Sequence, residues 1–193
     1  VEHDILPSVT QILHRSVTVS HLRHVDPEDL LGRAPEALDD EGLQTLVGGQ
    51  VVLVTGAGGS IGSELCRQLA ARAPAKLLLV ERSEPALYTI EQELLRDYSG
   101  LVVEPLAVSV TDEPSLDRIF ETYQPVLVFH AAAHKHVPLM ERQPAEAIQN
   151  NVIGSLLVAQ CALRHGVERC ILVSTDKAVN PTNVMGATKR WRS

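Results

Sequence analysis

Aromatic residues are scarce, at 3% of the 193 residues. A core poor in rings has to be built from Val, Leu, Ile and Ala, and at 45% hydrophobic the chain supplies them. That is the palette of a parallel sheet buried on both faces. No window reaches the roughly 20 apolar residues of a membrane-spanning helix, and no signal-peptide pattern is present. Runs of basic residues are missing too. Lys and Arg total 17 against 24 Asp and Glu, 17 − 24 = −7. This balance argues against nucleic acid or an anionic membrane surface as partners. A local anion site is compatible with it, because glycine-rich loops bind phosphate through backbone N–H groups. Cysteine is sparse and odd in number. Cys66, Cys161 and Cys170 lie in apolar or helical contexts, which predicts free buried thiols in a reducing compartment.

The length suits one domain of about 100–200 residues. Residues 1–49 have few long apolar runs and read as an arm packed on that domain. Within it, 9–14 suggests a short helix and 16–20 alternates like an edge strand. Asp26-Pro27-Glu28 reads as a helix start, as does Asp39-Asp40-Glu41 before a helix that ends at Gly48-Gly49. From residue 50 to 193, short apolar runs alternate with helical patterns. Strands are expected at 51–55, 76–81, 101–107, 125–130 and 169–174. Helices are expected at 61–73, 84–98, 114–123 and 144–165. This alternation predicts an α/β domain, a doubly wound parallel Rossmann sheet of order 3-2-1-4-5. The chain starts at Val1 rather than Met and stops at Ser193, inside a helix that Met185 begins. It is therefore expected to be a piece of a longer protein, with the C-terminal strands of the sheet missing.

Thr55-Gly56-Ala57-Gly58-Gly59-Ser60-Ile61-Gly62 lies between the first strand of the sheet and its helix. Gly56 permits the tight turn, Gly59 lets backbone approach a pyrophosphate, and Gly62 lets helix pack on strand. Ser60, Ile61 and Gly62 present helix N-terminal N–H groups to the phosphates. Glu81 follows at the spacing of a ribose-binding acid, which favours NAD. Arg82 and Ser83 come next, and Arg82 can pair with the 2′-phosphate of NADP, so NADP stays open. Ala131-Ala132-Ala133 follow the fourth strand, where small residues let backbone lie against a cofactor. Lys135 and His136 point to the substrate or its phosphates. His130, His134 and His136 lack a Cys or carboxylate set, and no metal is expected. Asn150 or Asn151 is placed to hydrogen-bond neighbouring loops from within the long helix. Ser174-Thr175-Asp176-Lys177 ends the fifth strand with a hydroxyl, a carboxyl and an ammonium in sequence. Lys189 lies one turn beyond Met185 on the same helix face.

Tyr-x-x-x-Lys at such a helix start is the acid/base device of short-chain dehydrogenase/reductase enzymes. Here Met185 stands at the tyrosine position, and a thioether has no proton to exchange. The work passes to ionisable neighbours, Asp176 and Lys177. The glycine loop, His134-Lys135-His136-Val137-Pro138-Leu139-Met140-Glu141, Asn151-Val152-Ile153-Gly154 and the run from Ser174 to Arg190 together resemble one family. It is the bacterial polysaccharide-biosynthesis nucleotide-sugar dehydratases of the extended short-chain dehydrogenase/reductase superfamily. The likeness is to the long, membrane-anchored branch that converts UDP-N-acetylglucosamine to a 4-keto-6-deoxy sugar.

The resemblance implies a bound NAD, or NADP, that takes hydride from C4 and returns it to C6 after water leaves. It makes Asp176 the acid at the C6 hydroxyl, Lys177 the base at C5 and Thr175 the group orienting the C4 hydroxyl. Lys189 would hold the nicotinamide ribose. Ser109 stands where the family usually has an aspartate near the adenine, with Val110 beside it. A UDP-sugar substrate, a homo-oligomer, and a cytoplasmic domain of an anchored parent are implied as well, and so is a C-terminal substrate lobe that this chain lacks, which leads to the expectation of little or no activity from the chain alone. Two other readings stay open: a nucleotide-sugar 4-epimerase, which normally keeps the tyrosine, and a non-catalytic NAD-binding module.

Overall fold

The structure, a computed structural model, describes residues 4–5, 23–24 and 39–191. The chain divides into two compact units, Val1–Asp39 and Asp40–Ser193. In the first, β1 (Asp4–Ile5) pairs antiparallel with β2 (Arg23–His24). The helix expected at 9–14, the strand at 16–20 and the helix start at Asp26 lie outside the described residues.

The second unit begins with α1 (Asp40–Val47), which the sequence pattern had grouped with the arm. Its last residue, Val47, is fully buried in the core beside the sheet, and Asp40 pairs with Arg72. Then come β3 (Val51–Thr55), α2 (Ser60–Ala70), β4 (Lys76–Glu81), α3 (Glu84–Asp97), β5 (Val103–Ala107), α4 (Glu113–Tyr123) and β6 (Leu127–His130). After β6 come α5 (Val137–Arg142), α6 (Pro144–Ile148), α7 (Gly154–Arg164), β7 (Arg169–Leu172) and α8 (Val184–Trp191). The five strands from β3 onward are parallel, in the order β5-β4-β3-β6-β7. Counted from the first strand of the sheet, this is the anticipated order 3-2-1-4-5.

The period-two geometry of a strand sorts the core into two layers. In β3, Val52 and Val54 join one cluster and Leu53 the other. In β4, Leu77 and Leu79 face the first layer, Leu78 and Val80 the second. The first layer is closed by α1, α2 and α3, and the second by α4 and α7. Burial on both faces explains why these strands read as continuous apolar runs rather than alternating ones. β3 lies at the centre, between β4 and β6, so its C-terminal end faces loops from both sides. This is the switch point of the winding, where ligands bind in open α/β sheets.

Three local features depart from the sequence expectation. The helix expected at 144–165 is interrupted by a π turn at Gln149–Ile153. The turn buries Asn150 and Asn151, side chains that need polar partners a continuous apolar face would not offer. A short helix, α5, occupies part of the segment after Lys135, with Pro138 in its first turn. β7 ends at Leu172, two residues early, so Ser174 and Thr175 lie beyond the ladder.

Leu53 is fully buried on the central strand, whereas Leu163 is 84% exposed on α7. Leu53→Ala should lower unfolding free energy by about 2–5 kcal/mol, and Leu163→Ala by less than about 0.5 kcal/mol. Urea denaturation followed by circular dichroism checks the pair.

Candidate functional site

At the end of β3 the chain turns at Gly56, whose φ of +69° is left-handed. A Cβ there would sit 2.7 Å from the backbone of Ala132, so glycine is required twice over. A Cβ on Gly62 would overlap the Gly56 carbonyl oxygen, which lets α2 start directly above the turn. Gly59 is the N-cap of α2, and no side chain caps that end. The first-turn N–H groups, which have no partner inside a helix, thus face the loop with the positive end of the helix dipole.

A cleft of about 350 Å³ opens over this turn. Its walls include Gly56, Gly58 and Gly59, the β4 end at Glu81, Arg82 and Ser83, Val108 and Val110 after β5, and Ala131, Ala132 and Ala133 after β6. Glu81 is held in place by backbone: Oε1 accepts from the Ser83 N–H at 2.9 Å and Oε2 from the Gly58 N–H at 3.3 Å. Arg82 reaches away to Glu146, Nη1 to Oε1 at 3.4 Å. Apolar walls, a fixed carboxylate at a strand end and an uncapped helix N-terminus match the three parts of an adenosine diphosphate: base, ribose and phosphates. The residues present therefore fit a dinucleotide.

Other expected cofactor residues do not line the cleft. Ser60 and Lys135 meet each other at its border, where Lys135 Nζ donates to Ser60 Oγ at 2.7 Å. Ile61 is 54% exposed. Ser109 is bound to its own loop, Oγ to Thr111 Oγ1 at 2.8 Å. His136 is exposed. Gly58, Val80, Ala86, Val108, His134 and Asn150 do line the cleft but carried no cofactor expectation. For Gly58 the reason is tertiary: a Cβ would lie 2.6 Å from that of Ala86 on α3.

Asn151 is fully buried. Its Oδ1 accepts from the His134 N–H at 2.8 Å. Its Nδ2 donates to the His134 carbonyl at 3.1 Å and to Thr188 Oγ1 at 3.0 Å. It thereby ties the cleft loop to α8. Below it lies His130, also fully buried. Ser155 Oγ donates to the Asn151 carbonyl at 2.7 Å and so accepts from His130 Nε2 at 2.8 Å. Thr55 Oγ1 accepts from the Ala132 N–H at 3.4 Å and donates to His130 Nδ1 at 2.6 Å. The network assigns the Nε2–H tautomer.

The expected catalytic residues form a second group, beyond β7. Thr175 caps a 3-10 turn at Asp176–Ala178. Its hydroxyl donates to Asp176 Oδ1 at 2.9 Å, and the Lys177 N–H donates to the same oxygen at 2.9 Å. These bonds, the Thr175 one foremost, hold the Asp176 carboxyl below the usual carboxylate range. Asp176 and Lys177 are exposed. α8 comes close to this turn because Gly186 has no side chain; a Cβ there would sit 2.6 Å from the Lys177 carbonyl oxygen. Asn183 Oδ1 accepts from the Gly186 N–H at 2.7 Å, and Glu141 Oε1 from the Val184 N–H at 2.6 Å, fixing the start of α8. Met185 is 3% exposed and packs with Met140 and Ala147. Lys189 is 6% exposed on the same helix.

Burial pushes the Cys66 thiol up to about 12 and also raises Cys161 and Cys170, and all three are free. Neutral thiols of this kind offer no nucleophile near pH 7. Among the described residues no three His, Cys, Asp or Glu side chains gather as a metal cluster. No helix among them is long and apolar enough to cross a membrane.

Fold and cleft define a Rossmann-type α/β protein. Residues 52–193 match the family described as polysaccharide biosynthesis protein, and the chain belongs to that family. It is 45% identical over 188 residues to the probable polysaccharide biosynthesis protein EpsC of Bacillus subtilis, covering 97% of this chain and 31% of that one. The chain therefore spans about a third of that relative's length. It is 34% identical over 139 residues to the inverting UDP-N-acetylglucosamine 4,6-dehydratase of Campylobacter jejuni, covering 72% of this chain and 40% of that one. It is 32% identical over 142 residues to a UDP-glucose 4-epimerase of Rickettsia akari, with the same coverages of 72% and 40%. Among solved structures it resembles the Bordetella bronchiseptica enzyme WbmG in complex with NAD and UDP. The TM-score is 0.60 at 28% identity, covering 73% of this chain and 47% of that one.

Because the Thr175 hydroxyl is the chief cause of the lowered Asp176 pKa, Thr175→Val should raise that pKa toward the ordinary value. A depressed carboxyl stabilises the fold above its unfolded pKa, about 3.9, and that contribution is lost as pH falls through the folded value. In the variant that contribution should be smaller and its loss complete at higher pH. Carboxyl NMR titration of both proteins reads the shift directly; an unchanged Asp176 midpoint contradicts the assigned cause.

Proposed function

We propose that this chain is the dinucleotide-binding portion of a nucleotide-sugar 4,6-dehydratase acting on UDP-N-acetylglucosamine. The observation that carries the reading is the turn of Thr175, Asp176 and Lys177. It is exposed just past the end of β7 and held against α8, while Met185 is buried in the tyrosine position. Bound NAD would accept hydride from C4 of the sugar and return it to C6, leaving no net redox change. The expected roles follow the chemistry of each side chain. Thr175 orients the C4 hydroxyl. Once C4 is a ketone, the C5 proton is acidic, and Lys177 in its neutral form removes it. The C6–O bond then breaks, with Asp176 giving the proton that lets the oxygen leave as water. In the free protein the Thr175 hydroxyl holds the Asp176 carboxyl below the usual carboxylate range, so the acid role requires the bound substrate to raise it until it carries a proton from solvent. Lys189 lies one turn beyond Met185, where it supplies positive potential toward the nicotinamide ribose.

The partner is a UDP-sugar, and NAD is the favoured cofactor because Glu81 faces the ribose position. A homo-oligomer and a cytoplasmic site on an anchored parent belong to the same reading. The similarity to the Rickettsia akari epimerase supports a second reading, nucleotide-sugar 4-epimerase. The lack of a tyrosine at 185 weighs against it, since epimerisation needs a hydroxyl that both gives and takes the C4 proton.

Mass spectrometry of UDP-N-acetylglucosamine incubated with NAD+ and the longer protein of which this chain is the dinucleotide-binding portion separates the readings, the chain alone being expected to turn over little or none. A product lighter by one water is expected, and Asp176→Asn should slow its formation by about 100-fold or more. A product of unchanged mass supports the epimerase. Unaltered substrate despite bound NAD supports a non-catalytic dinucleotide module.

A further inference from the structure

Arg82 is the one cation on the cleft wall beside Glu81 among the described residues. Its guanidinium is engaged by a carboxylate of another element. Nη1 lies 3.4 Å from Glu146 Oε1 on α6, a residue 64 positions further along the chain. The same oxygen lies 2.9 Å from His134 Nε2, while Arg82 Nη2 lies 3.2 Å from that ring nitrogen. One Nε2 cannot both donate to a carboxylate and accept from a guanidinium. With the proton on Nε2, His134 donates to Glu146, and the carboxylate is the common partner of His134 and Arg82.

We propose that Glu146 sets the site's choice of dinucleotide by keeping Arg82 from the adenosine ribose, so that a 2′-hydroxyl is taken and a 2′-phosphate refused. The proposal rests on the reading of the cleft as a dinucleotide site and goes beyond it. Glu81, fixed by the Gly58 and Ser83 N–H groups, presents a carboxylate where the 2′ substituent falls. Counting Glu81, Arg82 and Glu146, the local formal charge is −1 + 1 − 1 = −1, which repels a phosphate. Neutralising Glu146 brings the sum to zero. It also removes the carboxylate that holds the planar fork of Arg82, the group best suited to a phosphate. The latch is easily broken: Arg82 and Glu146 side chains are 51% and 44% exposed, and ion pairs at that exposure are weak. A single uncharged substitution is therefore enough to release the arginine.

Isothermal titration of NAD+ and NADP+ into the wild-type protein, Glu146→Gln and the double variant Glu146→Gln/Arg82→Gln tests this. The wild type should prefer NAD+. Glu146→Gln should tighten NADP+ by about two- to five-fold relative to NAD+, an effect of the size of one weak charge pair, and the double variant should lose that gain. Glu146→Ala carries the same expectation, should the amide itself engage Arg82. An unchanged NADP+ to NAD+ ratio in both Glu146 variants overturns the proposal while leaving the cleft a dinucleotide site. So does a wild type that binds the two equally. A wild type that binds neither overturns the dinucleotide reading and this proposal with it.

Discussion

The constraint on which the rest depends is the need to satisfy a fully buried histidine under the cleft. His130 ends β6 with both ring nitrogens out of reach of water, so each must find a partner. Thr55, at the end of β3, meets one and Ser155, on α7, meets the other. Ser155 hands the chain to Asn151, whose side chain holds the His134 backbone on one side and Thr188 of α8 on the other. A single run of hydrogen bonds thus spans two neighbouring strands, the cleft loop, the π turn and α8. In a low-dielectric interior such a run is rigid when complete and costly when broken. It sets the geometry of both halves of the site.

Close backbone approach is the second requirement. Gly56 against Ala132, Gly62 above Gly56, and Gly186 against Lys177 are places where an added Cβ would collide with backbone. The first two shape the phosphate end of the cleft. The third brings α8 to the Thr175–Lys177 turn. Met185 anchors that helix through packing with Met140 and Ala147. The residue at the tyrosine position is therefore part of a small apolar core, beside the Thr175–Lys177 turn.

Much of the architecture was legible beforehand, for local reasons. Strands buried on both faces carry unbroken apolar runs, as 51–55 and 76–81 do, and their alternation with helical patterns leads directly to the sheet order. The glycine loop was readable because a left-handed turn and an uncapped helix start are properties of neighbouring residues. Glu81 followed from its spacing to that loop. Residues 40–47, read from the sequence as the end of the arm, form α1 of the second unit. Only Val47, buried beside the sheet, assigns the helix to the second.

By itself, then, the sequence determined the α/β class, the phosphate loop, the acid at the end of β4 and the hydroxyl–carboxyl–ammonium run after β7. Each is written in short-range spacing. The tertiary structure alone decided that Gly58 makes room for Ala86, that Arg82 is held by Glu146, that Asn151 braces His134 and Thr188, and that Met185 lies in a core. It also decided the π turn, because a helix breaks its regular ladder only when distant partners satisfy what the break exposes. These are contacts between residues far apart in the chain, and no local pattern encodes where the other partner will be.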